Sequence, residues 1–96
     1  MHAALVTLTI DPAHAQAAAA AFMGDVLPRV TSAPGFASGH WLEPVDGRGW
    51  ALILFDTEAQ ARAAVPPATA WTAPGVVIER AEIRRVAVSV PGPARG

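Results

Sequence analysis

His40 stands between Gly39 and Trp41 in an extended, apolar stretch of this 96-residue chain. A neutral imidazole there can abstract a phenolic or carbon-bound proton near neutral pH. Its other use is structural, as a packed and hydrogen-bonded histidine on a sheet. Trp41, Trp50 and Trp71 are large amphipathic rings that either line an aromatic pocket or anchor a core or an interface. Trp71 lies in a Pro-bounded segment, where a loop can act as a lid over a pocket. Trp41 and Trp50 fit core or dimer anchors. Thr7, on the polar side of an otherwise apolar run, offers a hydroxyl to a ligand in the same pocket.

Other chemistries find no support. Cys is absent, which removes disulfides, thiol nucleophiles and thiolate metal sites. His2, His14 and His40 lack metal-ligand spacing, so no metal is expected. Ser38 lies in Gly35-Phe36-Ala37-Ser38-Gly39, which is not a nucleophile elbow. Gly47 and Gly49 belong to a hairpin and lack the spacing of a phosphate loop. Glu43, Asp46 and Asp56 are not paired for acid–base work. Arg80, Arg84 and Arg85 alternate with Glu79 and Glu82, a mixed-sign strand unlike a phosphate track. The formal charge of −1 argues against nucleic acid or an anionic membrane as partner. No run approaches the roughly 18 apolar residues of a membrane span. The opening residues read as a strand better than as a signal peptide, so the cytoplasm is the expected location.

The elements that must position these residues are legible. Residues 4–10 alternate with period two, Val6, Leu8 and Ile10 against Leu5, Thr7 and Thr9. Asp11-Pro12 caps and starts a helix in an alanine-rich stretch. Its apolar stripe runs through Phe22, Met23, Val26, Leu27 and Val30, and Pro28 is expected to end or kink it. After a turn at Ser32-Ala33-Pro34-Gly35, residues 36–45 read as a strand, with Pro44 marking an edge. Asp46-Gly47 is a hairpin signal and residues 50–55 are the return strand. Thr57-Glu58-Ala59-Gln60 is a capping box for a short second helix, stopped by Pro66-Pro67. Residues 76–90 form a long, irregular strand. Residues 1–90 make one domain and 91–96 a disordered tail.

The order β-α-β-β-α-β is the ferredoxin-like α+β arrangement, a four-stranded antiparallel sheet with helices on one face. A two-residue turn at Asp46-Gly47 puts Trp41 opposite Leu52. Trp41, Trp50, Leu52 and Leu54 then share one face, and His40, Leu42, Ala51, Ile53 and Phe55 the other. Both faces are apolar and two helices cover only one. A second copy, packed sheet against sheet, is the economical cover for the other.

The Pro-started helix, Pro34-Gly35-Phe36, the strand end Leu42-Glu43-Pro44-Val45, the hairpin and the capped helix together resemble the dimeric α+β barrel superfamily. Within it the pattern is similar to the antibiotic biosynthesis monooxygenase-like domain. The resemblance covers residues 4–90 and implies a homodimer with a pocket between sheet and helices in each subunit. In the haem-degrading branch an Asn stands where this chain has Thr7, and a Trp where it has Ala63 or Ala64. A His ligand follows there, and residues 65–74 contain none. Haem degradation is therefore not expected. The Asn and Tyr on which the polyketide oxygenases rely are absent here.

Two readings result. One is a non-catalytic dimeric barrel that binds a small apolar or aromatic molecule without a cofactor. The other is a cofactor-independent monooxygenase of an aromatic or quinone-like substrate, with His40 as general base and Thr7 and Trp71 shaping the pocket.

Overall fold

The computed structural model describes residues 1–65 and 75–90. Four strands, β1 (His2–Ile10), β2 (Phe36–Trp41), β3 (Arg48–Phe55) and β4 (Val76–Arg85), form one antiparallel sheet in the order β2-β3-β1-β4. This is the ferredoxin-like order expected from the sequence. The first crossover begins with a 3-10 turn (Pro12–His14). It continues as α1 (Ala15–Ala21), a π-helical turn (Phe22–Val26) and α2 (Leu27–Thr31). The second crossover carries α3 (Glu58–Ala64). Trp71 and the tail at 91–96 lie outside the described residues.

Local chemistry accounts for the boundaries. The Asp11 carboxylate accepts from the Ala13 N–H at 3.0 Å, with Pro12 filling the first position of the turn. Thr57 Oγ1 accepts from the Gln60 N–H at 3.2 Å and caps α3. Asp46 and Gly47 have φ of 52° and 75°, so both central residues of the hairpin turn are left-handed. Their neighbours Val45 and Arg48 exchange both backbone hydrogen bonds at 3.0 Å.

Helix and strand ends depart from the expected pattern in three places. Pro28 does not end the first helix. The Leu27 N–H reaches back five residues to the Phe22 carbonyl, and helix resumes through Pro28 to Thr31. The wider turn upsets the apolar stripe, leaving Met23 62% exposed while Phe22 and Val26 face the sheet. β4 is bulged opposite Thr7 and Leu8, as expected, but ends at Arg85. Among the described residues beyond it, only Val86 adds a backbone bond, to the Met1 carbonyl, and Val88 and Val90 are exposed.

The third departure decides the faces of Ser38 to Trp41 in β2, a further register shift separating Phe36 from them. Val45 pairs with Arg48, yet the Leu42 N–H bonds to the Trp50 carbonyl, Trp41 pairs with Ala51 and His40 with Leu52. Glu43 and Pro44 therefore oppose the single residue Gly49, a bulge at the residue that has no N–H to donate. The extra residue moves the register by one, and a one-residue slip reverses the faces. The expected pairing of Trp41 with Leu52 is corrected. Trp41 joins Ala51, Ile53 and Phe55 towards the helices, and His40 joins Leu52 on the open face.

The core gathers at one end of the sheet, where Phe55 and Ala61 are fully buried with Ala4, Val30, Ile53 and Val65 around them. Phe36 meets Phe55 edge to face, centroids 6.2 Å apart. This end lies beneath α2 and α3.

Candidate functional site: an apolar cavity under the first helix

The described residues leave the other end of the sheet unfilled. α1 presents Ala15, Ala18 and Ala19 towards the sheet, and β3 contributes Gly49 and Ala51. Small side chains on both layers leave space that larger ones would have closed. The result is a cavity of about 560 Å³. Its floor is Leu8, Ile10, Val76 and Ile78, and its wall is Phe22, Val26 and Trp41. The hairpin closes one end with Leu42, Glu43, Pro44, Gly47 and Trp50. Ligand pockets of this size and apolarity are typical of small-molecule sites.

Two features shape the wall. The π-helical turn sets Phe22 against Trp41, their centroids 5.6 Å apart and inclined at 61°. Gly39 makes room for the Trp41 ring, for a Cβ at Gly39 would stand 2.5 Å from the indole.

The residues singled out from the sequence do not converge here. Trp41 lines the cavity and also packs on the core. Trp50 borders the cavity, but its place in the alternation is beside Thr7 on the open face, where it is 42% exposed. His40 is exposed on that open face and is not part of the cavity wall. Thr7, half-buried between Trp50 on β3 and Arg80 on β4, is on the open face as well. Neither residue lines this cavity. Thr7 follows from the parity of β1, in which Val6 and Leu8 face inward, and His40 from the bulge at Glu43-Pro44. Phe22, the α1 alanines, Gly49 and Glu43 were missed as site residues. Their signal was present as a run of small residues on the first helix facing a glycine-bearing strand.

Glu43 is the one ionisable side chain among the described residues of the wall. Among the described residues no group of three or more His, Cys, Asp or Glu is placed to hold a metal ion. No helix there is long and apolar enough to cross a membrane. The nearby Asp11 carboxyl is held below the usual carboxylate range by the Ala13 N–H and then by His14.

The open face carries its own apolar patch. Leu5 and Leu52 pair across β1 and β3 and are 40% and 37% exposed, with Trp50 beside them. Charged pairs flank it on β4, Arg80 and Arg84 both reaching Glu82.

No family model matches the chain, and no curated protein matches it. Among solved structures the fold is similar to a crystal structure of an MhuD variant described as having two manganese protoporphyrin IX bound per active site. The TM-score is 0.61 at 15% identity, over 96% of this chain and 100% of that one. At that identity the likeness shows a shared fold, the α+β arrangement of one antiparallel sheet with its helices.

Proposed function

We propose that this chain is a homodimeric α+β barrel protein that binds a small apolar or aromatic molecule in the cavity between its sheet and first helix. The observation that carries the reading is the cavity itself, about 560 Å³ and walled by aliphatic side chains and the Phe22–Trp41 pair. Burial of apolar ligand surface supplies the affinity, and the two rings offer edge-to-face contacts to a third.

Binding without turnover is the better supported use. A general base must lie within hydrogen-bond reach of the proton it takes. Among the described residues no imidazole lines the cavity, and His40 stands on the other face. The macrocycle of the MhuD structure is not carried over either. No described wall residue is His, Met, Cys or Tyr, and residues 66–74 contain none of these, so a haem iron would find no usual axial ligand.

The homodimer rests on the exposed Leu5, Leu52 and Trp50, a patch that a sheet with helices on one side leaves uncovered. A native mass spectrum and a calorimetric titration with naphthylmethanol test both halves. The expected result is a dimer that binds the alcohol, with binding lost in Ala19→Phe, where a ring fills the cavity. A monomer at micromolar concentration would overturn the dimer. Equal binding by Ala19→Phe, or none by the unaltered protein, would overturn the cavity as the site.

A further inference from the structure

Resting on the cavity as a binding site, we infer that Glu43 selects among its ligands, favouring an aromatic molecule with a cationic or hydrogen-bond-donating head and rejecting anionic ones. The apolar wall discriminates poorly by charge, because hydrocarbon offers no directed polar partner. Glu43 breaks that uniformity at one place. It sits in the bulge with Pro44, opposite Gly49, and a bulge re-aims the side chains it carries.

The surrounding charges strengthen the same sign. Glu43 has no ion-pair partner among the described residues. Asp46 follows in the turn that leads to Gly47 of the wall, adding a second negative charge at this end. Arg48, the one arginine of the hairpin, lies 4.0 Å from Glu79 on β4. Asp11, next to Pro12 of the wall, is engaged with His14. Residues 66–74 contain no ionisable side chain. A ligand ammonium at the hairpin end therefore meets the exposed Glu43 carboxylate at the cavity wall, while a ligand carboxylate meets like charge beside hydrocarbon. Such placement gives specificity through repulsion as much as attraction.

Three ligands of one size separate the possibilities: naphthylmethylamine, naphthylmethanol and naphthoate. Calorimetric titration is expected to rank the amine about tenfold or more above naphthoate at low salt, the gap narrowing as salt rises. Glu43→Gln should bring the amine and the acid within about threefold of each other, leaving the alcohol unchanged. Glu43→Lys should reverse the order. Naphthoate binding the unaltered protein as tightly as the amine would overturn the inference, as would a preference that survives Glu43→Gln. Failure of the uncharged alcohol to bind would instead overturn the cavity reading on which the inference rests.

Discussion

The rings of Phe22 and Trp41 meet edge to face at 5.6 Å, joining the π-helical turn of the first crossover to the last residue of β2. The pair ties an edge strand to a helix across space that the alanines of α1 leave empty. The cavity is kept open by rings at its side and small residues above it.

Trp41 and Trp50 are therefore expected to behave differently. Trp41→Ala should cost about 2 to 3 kcal/mol in urea unfolding, below the full burial value because the ring is half-buried. A loss under about 1 kcal/mol would mean that the pair carries little. Trp50→Ala should instead weaken subunit association, with unfolding that becomes more concentration-dependent. Unchanged association measured by analytical ultracentrifugation would remove Trp50 from the interface.

Gly39→Ala probes the bed on which Trp41 lies. The added methyl would meet the indole at 2.5 and 2.6 Å, so the ring must leave its place. The expected cost is about 1 to 3 kcal/mol, with a change in tryptophan near-ultraviolet circular dichroism. An unchanged spectrum would contradict the packing described here.

His40 offers a test of face. His40→Ala should leave naphthylmethanol affinity within about twofold, since the imidazole is on the side of the sheet away from the cavity. A tenfold loss in calorimetry would place His40 at the ligand.

The acid side of the stability profile depends partly on two exposed carboxylates. Asp11 is lowered by the Ala13 N–H and by His14, and Glu58 by its hydrogen bonds to Arg62. A depressed folded-state pKa stabilises fully above the unfolded value. That contribution fades as pH falls through the folded-state value. Carboxyl titration by NMR should find both groups below the ordinary Asp and Glu ranges. Removing the charged partner in Arg62→Gln should return Glu58 towards its ordinary value, and no movement would refute the assigned cause.

Much of this architecture was legible because its signals are local. Asp11-Pro12, Asp46-Gly47 and Thr57 with Gln60 each act within a few residues, and each is where its chemistry puts it. The alternation of β1 divides Val6, Leu8 and Ile10 from Leu5, Thr7 and Thr9, but with both sheet faces apolar it leaves open which set meets the helices, and the fold places the first set there. What failed was propagation. The turn stands at Asp46-Gly47, but its register reaches Trp41 unchanged only if every intervening residue pairs. Pro44 cannot donate, and the bulge beside it is a matter of tertiary fit. The π-helical turn is hidden for a similar reason, because Pro28 read locally signals an end or a kink and not a widened turn before it. The cavity is a property of two facing layers, so the alanines of α1 looked like helix propensity until β3 was set beneath them.

The bulge at Glu43-Pro44 has a consequence for how this chain can change. Along a strand, in or out is a matter of odd or even, and one surplus residue is all that separates the two assignments for the segment ending at Trp41. Were Glu43 and Pro44 to pair one-to-one with Trp50 and Gly49, with no residue lost, Trp41 would turn to the open face and His40 towards the helices. A binding pocket and a pocket with a proton acceptor in it are, at this strand, one residue apart.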